Sequence, residues 1–150
     1  MSLTEKLLDI QANLPEFKKN AKNPHFKNTY ITLDALLEGL LPLLNERAIL
    51  LIQEPSNIGP APALTTTFID VESGEERSST QPLLLDKDTP QGHGSAITYG
   101  RRYALCSALN IVADEDDDGE EASRRNSTDT SGASGRSASS TDSSTTGRKF

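Results

Sequence analysis

LTTTFIDVESGEERSSTQPLLL, residues 64–85, carries the clearest structural pattern in this chain. Its first eight residues alternate as an extended strand does, which places every second side chain on the same face. One face would hold Leu64, Thr66, Phe68 and Asp70, and the other Thr65, Thr67, Ile69 and Val71. Residues 72–75, Glu-Ser-Gly-Glu, are typical of a turn, and residues 76–85 return as the partner strand. The stretch therefore predicts an antiparallel hairpin.

Helical patterns precede this hairpin. Apolar residues at helical spacing predict a short amphipathic helix over residues 3–14, and Pro15 ends it. A leucine-rich pattern predicts a core helix that begins near Thr32. Pro42 lies inside that pattern and is expected to kink the helix or split it in two.

Strands and a last helix complete the predicted domain. Residues 48–52 predict a short, largely buried strand, and residues 53–62, dense in proline and glycine, predict a loop. Residues 86–94 predict a second loop, after which Ser95 caps a helix that runs to about Asn110. The order helix, strand, strand, strand, helix predicts an α+β fold, in which helices cover an antiparallel sheet of three or more strands.

The composition changes at the end of the chain. Residues 122–150 consist almost entirely of Ser, Thr, Gly, Ala and charged residues, with too little apolar surface to offset the entropy of ordering. We expect one domain over residues 1–121 and a disordered tail over residues 122–150. The tail has a net positive charge, but a linker is the simpler interpretation of it.

Composition restricts the class of protein. The single cysteine, Cys106, excludes an intramolecular disulfide and a cysteine-based zinc site, and it fits a reducing compartment. No apolar run approaches the roughly 18–20 residues that span a membrane, and the N-terminus lacks the apolar centre of a signal peptide. We therefore expect a soluble, intracellular protein with no membrane partner.

Charge is distributed unevenly. The formal net charge of −7 argues by itself against a nucleic-acid partner. However, residues 17–30 hold four lysines, several aromatic residues and no carboxylate, whereas residues 114–121 hold seven carboxylates and no base. The local field decides where a polyanion binds. The basic stretch is either a solvated loop anchored by its aromatic residues or a surface for single-stranded nucleic acid.

An arginine pair lies inside the last predicted helix. On a helical wheel, Arg101 falls on the side of a strip of small residues that begins at Gly100. Arg102 lies on the opposite side, flanked by Tyr99 and Tyr103. We expect Arg101 to be shielded and Arg102 to point along an aromatic face. A purely structural role for both competes with one in which guanidinium groups bind phosphate and tyrosine rings stack on bases.

The acidic run begins like a calcium-binding loop. Asp114, Asp116, Asp118 and Gly119 match the first half of that loop, but the required glutamate is replaced by Arg125, which excludes a calcium hand. A solvated acidic cap is favoured. A magnesium or nuclease-type carboxylate cluster and a pairing surface for a neighbouring subunit stay open. Magnesium is compatible with the run but not required, so no cofactor is expected.

A glycine-flanked histidine precedes the last predicted helix. The segment Gly92-His93-Gly94-Ser95 could bind an anion at the N-terminus of that helix. It lacks the lysine of a phosphate-binding loop, so nucleotide hydrolysis is not inferred.

Three strings near the end of the domain form a specific combination. They are Gly94-Ser95-Ala96-Ile97-Thr98-Tyr99, Arg101-Arg102-Tyr103-Ala104-Leu105 and Asp114-Glu115-Asp116-Asp117-Asp118-Gly119. Together with Phe26 and Tyr30 ahead of the leucine-rich helix, they resemble the Erf family of phage single-strand annealing proteins. The resemblance spans about residues 5–121.

This resemblance implies a recombination protein rather than an enzyme. It would bind single-stranded DNA and anneal complementary strands without ATP, in phage-type homologous recombination in the cytoplasm of a bacterial host cell. It implies a β-β-β-α core and a homo-oligomeric ring or filament, and the tail could reach the host single-strand-binding protein. The alternatives are a passive single-strand coat protein, a magnesium-dependent nuclease that uses residues 114–121, and an assembly module that binds no DNA.

The expected DNA surface combines the basic stretch with the arginine-bearing helix. We expect the two to line a groove along the DNA backbone, with the acidic run lying away from it or at a subunit boundary. Tyr30 and Tyr99 are predicted to stack on bases. The predicted phosphate contacts are Lys18, Lys19, Lys22, Lys27, Arg101 and Arg102.

Overall fold

The computed structural model describes residues 1–19, 21–22 and 29–114. Within these ranges the helices and strands are α1 (Leu3–Ala12), β1 (Ala21–Lys22), β2 (Thr29–Tyr30), α2 (Leu33–Glu46), β3 (Ile49–Ile58), β4 (Ala61–Asp70), β5 (Glu76–Pro82) and α3 (Pro90–Leu109). The predicted α+β fold class is confirmed. The predicted tail and the domain boundary at residue 121 lie outside the described residues.

The predicted hairpin forms two of the three strands of the main sheet. Strands β3, β4 and β5 pair antiparallel in that order, and Phe68 lies opposite Arg77. The turn between β4 and β5 contains Gly74, whose φ of +75° suits a residue without a Cβ. The four residues assigned to one face of β4 are all buried. The alternation in the sequence therefore identifies the face of the sheet that the helices cover.

The predicted loop over residues 53–62 is wrong. Strand β3 continues to Ile58, and a tight turn at Gly59 and Pro60 leads directly into β4. Pro55 lies within β3, which among the described residues has a strand neighbour only on its β4 side. An edge strand tolerates proline because one side of its backbone forms no ladder hydrogen bonds. Pro55 and Pro62 therefore lie within strands, and only Gly59 and Pro60 form the turn.

The second helix is uninterrupted. It begins where predicted, because the Thr32 side chain accepts a hydrogen bond from the Ala35 amide at 3.2 Å. It then runs through Pro42 to Glu46, so the predicted split is wrong. Proline removes one backbone hydrogen bond here. The cost is offset by packing, since the helix buries Leu36, Leu40 and Leu44 completely.

The last helix begins earlier than predicted. Thr89 caps it by accepting a hydrogen bond from the Gly92 amide at 3.0 Å, and Pro90 occupies the first turn. Gly92 and His93 therefore lie inside the helix, which removes the proposed anion-binding loop. The predicted end is confirmed, since Asn110 adopts the left-handed conformation that terminates helices.

Helix α3 spans the two hydrophobic clusters of the domain. Its C-terminal half, with Leu105 and Leu109, packs in the larger cluster together with residues of α1, α2, β3 and β4. Its middle packs on Leu64 and Leu83. A Cβ on Gly100 would lie 2.8 Å from Leu83 Cδ2, so glycine lets the helix approach the sheet closely.

A buried ion pair joins α1 to the main hairpin. Lys6 Nζ lies 2.8 Å from Asp70 Oδ1 and 2.5 Å from Glu72 Oε2. Asp70 is fully buried and also accepts hydrogen bonds from the Ser73 hydroxyl and the Glu72 amide. The hydrogen bond from Lys6 is the main cause that lowers the pKa of Asp70 to about 2, against the opposing effect of burial.

We expect this pair to set the acid stability of the domain. Because the pKa of Asp70 falls from 3.8 to about 2 on folding, its stabilising effect is complete above about pH 3.8. The effect is lost as the pH falls from there through about 2. Asp70→Asn should lower the urea midpoint at pH 7 and weaken its dependence on pH below 4. Glu54→Gln, which removes an exposed carboxylate, should preserve that dependence.

Two glycines of α3 should respond oppositely to substitution. Gly94 has open space at its Cβ position, so Gly94→Ala should stabilise the domain by about 0.5–1 kcal/mol through helix propensity. Gly100→Leu should destabilise it by about 1–3 kcal/mol, because Leu83 already fills that space. Urea unfolding measures both effects. A neutral Gly100→Leu would contradict the close approach of α3 to the sheet.

Candidate nucleic-acid interface

Tyr30 joins the basic stretch to the end of the described domain. Strand β1 pairs antiparallel with β2, with Ala21 opposite Tyr30 and Lys22 opposite Thr29. On its other side, Tyr30 forms an isolated antiparallel bridge with Asp114. The neighbouring Ile31 amide donates to the Ala113 carbonyl at 3.0 Å. Two segments that are remote in sequence therefore meet at Tyr30.

Three tyrosine rings surround the guanidinium group of Arg102. Its Cζ atom lies 4.7 Å from the ring centroid of Tyr30, 5.4 Å from that of Tyr99 and 4.5 Å from that of Tyr103. The rings of Tyr99 and Tyr103 also contact one another, with centroids 4.4 Å apart. Each ring offers its negative face to the cation. These three are all the tyrosines of the chain.

The first carboxylate of the acidic run completes this arrangement. Asp114 Oδ1 lies 3.1 Å from Arg102 Nη1, and the Tyr103 hydroxyl donates to Asp114 Oδ2 at 2.6 Å. Arg102 Nη1 also donates to the Ile31 carbonyl at 3.4 Å. We call Arg102, Tyr30, Tyr99, Tyr103 and Asp114 the arginine cluster.

The protonation states of Arg102 and Tyr103 keep both side chains as hydrogen-bond donors. Burial works against the charged guanidinium, but the hydrogen bond to Asp114 and nearby negative charge outweigh it and raise the pKa of Arg102. Burial, and then the hydrogen bond to Asp114, raise the pKa of Tyr103 well above its ordinary value. Near neutral pH, Arg102 is therefore charged and the Tyr103 hydroxyl keeps its proton.

The predicted shielding of the arginine pair is reversed. Arg102 is the buried member at 7% exposure, whereas Arg101 is half-buried and its Nε atom donates to Gln53 Oε1 at 3.3 Å. A helical wheel places Arg102 correctly beside its tyrosines. It cannot show that residues 30–31 and 113–114 return to cover that side of the helix.

Asp114, the first residue of the acidic run, lies against the arginine-bearing helix, whereas the run was expected away from the DNA groove or at a subunit boundary. Its carboxylate contacts two side chains of that helix directly. The rest of the run, residues 115–121, lies outside the described residues. Within the described part of the chain, no group of three or more His, Cys, Asp or Glu residues could hold a metal ion.

The other predicted contact residues occupy different places. Lys22 is exposed on β1, one position from the residue opposite Tyr30. Lys18 is exposed and Lys19 half-buried in the segment after α1. Arg101 lies over β3, on the side of α3 away from Tyr30. Lys27 falls outside the described residues.

An open groove of about 670 Å³ adjoins the arginine cluster. Tyr99 and Tyr103 form part of its wall, and Tyr99 is 60% exposed there. The rest of the lining comes from the end of β5, the following loop and the first half of α3. Sequence reasoning did not find this groove, because its walls come from separate elements and no local motif marks it.

The comparison with protein families identifies the family to which the chain belongs. The family model described as the ERF superfamily matches residues 3–146. This chain belongs to the ERF superfamily. The resemblance seen in the sequence is therefore confirmed, and with it a place among phage-type proteins of single-strand annealing and recombination.

Other comparisons add no relative. No curated protein and no solved structure matches the chain. Among the described residues of this ERF-superfamily chain, no helix is long and apolar enough to cross a membrane.

We expect the two arginines to differ sharply in their contribution to stability. Arg102→Lys should lower the free energy of unfolding by about 1–2 kcal/mol, because an ammonium group cannot match three rings and a carboxylate as a planar guanidinium does. Arg101→Lys should change it by less than about 0.5 kcal/mol. Urea unfolding of the two variants measures the difference. Equal effects would contradict the cluster.

Proposed function

We propose that this ERF-superfamily chain binds single-stranded DNA and anneals complementary strands without ATP. The observation that carries the proposal is the arginine cluster, which joins aromatic rings on α3 to the lysine-bearing segment through the pairing of β1 with β2. Aromatic faces beside basic side chains suit a strand whose bases are unpaired. Family membership supports the same chemistry.

The phosphates and the bases of the DNA strand contact different residues in this proposal. Lys18, Lys19, Lys22, Lys27 and Arg101 would bind backbone phosphates through charge. Tyr99 is the ring with the most exposed surface, so it would stack on a base, with Tyr30 beside it. Arg102 would hold the rings in place and reach a phosphate by exchange with its carboxylate partner.

We propose annealing rather than coating alone, because of the way such a surface would hold DNA. Phosphate contacts leave base edges free to test a second strand. We propose that copies of the chain assemble into a ring or filament, so that many weak contacts act in series. A mismatched strand then dissociates before a matched one. The tail could add contacts to DNA or to the host single-strand-binding protein.

A strand-pairing assay tests the proposal. Two complementary fluorescently labelled strands are mixed with the protein, without nucleotide, over a salt series. We expect pairing faster than the spontaneous rate, with the acceleration fading as salt rises, because counterion release drives the phosphate contacts. Binding without acceleration would identify a coat protein. Strand cleavage that stops on adding a chelator would identify a nuclease, and no binding at low salt would contradict the proposal.

Single substitutions should separate stacking from charge. Tyr99→Ala should weaken binding to oligo(dT) by about 1–3 kcal/mol, because one base loses its stacking partner. Lys22→Gln should weaken it less and make the slope of log K against log salt shallower by about 0.7. Arg77→Gln, on β5 and outside the proposed surface, is the control and should leave the slope nearly unchanged. Fluorescence anisotropy measures all three.

A further inference from the structure

Arg102 and Tyr103 present two adjacent donors to a single anion. The guanidinium Nη1 and the Tyr103 hydroxyl meet the two oxygens of one carboxylate, at 3.1 and 2.6 Å. A guanidinium beside a hydroxyl is also a donor pair that binds phosphate oxygens. The Asp114 carboxylate thus occupies a position that a phosphate group could fill.

Burial decides how another anion can reach these donors. The Arg102 side chain is 9% exposed, whereas the Asp114 side chain is 41% exposed. Three tyrosine rings and the Ile31 carbonyl surround the guanidinium elsewhere. Asp114 is therefore the solvent-facing partner, and a phosphate reaches the donors by taking its place.

We propose that Arg102 and Tyr103 form a phosphate-binding site for the DNA backbone, which the Asp114 carboxylate fills in the free protein. The inference rests on the proposed function, and it adds competition between the Asp114 carboxylate and DNA phosphate for the same donors. Exchange requires only that the Asp114 side chain turns outward, since its bridge to Tyr30 is a backbone contact. Each phosphate bound here must displace a carboxylate, which makes the contact weak and readily reversed.

Removing the competing charge should strengthen DNA binding. Asp114→Asn keeps the side-chain shape but breaks the charge pair with Arg102. We expect it to lower the dissociation constant for oligo(dT) about two- to fivefold, the range that a partly exposed ion pair can account for. Asp9→Asn is the matched control, because Asp9 pairs with Arg47 and its loss changes the net charge equally. That variant should change affinity clearly less.

A double substitution tests whether the gain in affinity from Asp114→Asn depends on Arg102. In an Arg102→Gln background, Asp114→Asn should give a clearly smaller gain in affinity, because the guanidinium is absent and only the Tyr103 hydroxyl is freed. Circular dichroism and urea unfolding accompany each variant. If Asp114→Asn binds no more tightly than wild type, or loses cooperative unfolding, Asp114 is a structural partner and the exchange is overturned. A wild-type protein that binds no strand at all would instead overturn the proposed function, and the exchange with it.

Discussion

A guanidinium group that is removed from water needs acceptors on every side, and Arg102 imposes that requirement on this domain. Its π faces are met by tyrosines from β2 and α3, and its hydrogen bonds by Asp114 and the Ile31 carbonyl. Satisfying one side chain thus brings together β2 with the residue that follows it, the middle of α3 and the segment after α3. The cluster fixes the geometry of the surface that we assign to DNA.

A second buried charge organises another part of the fold. Asp70 occupies an inward position of β4, where an unpaired carboxylate would be strongly unfavourable. Lys6 of α1 neutralises it, so the first helix is tied to the main hairpin by charge as well as by packing. The Lys6–Asp70 pair and the arginine cluster differ in their exposure to solvent. Lys6 and Asp70 are both closed off from solvent, whereas the arginine cluster keeps Asp114 and Tyr99 at the surface, where a ligand can reach them.

The sequence predicts the features of this structure that depend on neighbouring residues. The alternation over residues 64–71, the cap at Thr32 and the end of α3 at Asn110 are local signals, and the structure confirms them. Pro55 contributed to the wrong prediction of a loop over residues 53–62. A strand at the edge of a sheet tolerates proline, and no local sequence pattern shows that a strand will lie at an edge. The burial of Arg102 was not predicted because the residues that cover it are distant along the chain. Ile31, for example, is 71 positions away. The spacing of Tyr99 and Tyr103 around Arg102 predicted their contact with it, but not the Asp114 carboxylate that pairs with the guanidinium.

Intrinsic fluorescence tests most directly whether DNA meets the arginine cluster. The chain has no tryptophan, and its three tyrosines all belong to the cluster, so its emission reports on that surface alone. Oligo(dT) is titrated while anisotropy of a labelled strand follows binding independently. We expect emission, corrected for absorption by DNA, to fall in parallel with binding as bases stack on the rings. Complete binding with unchanged emission would place the DNA elsewhere and contradict the assignment.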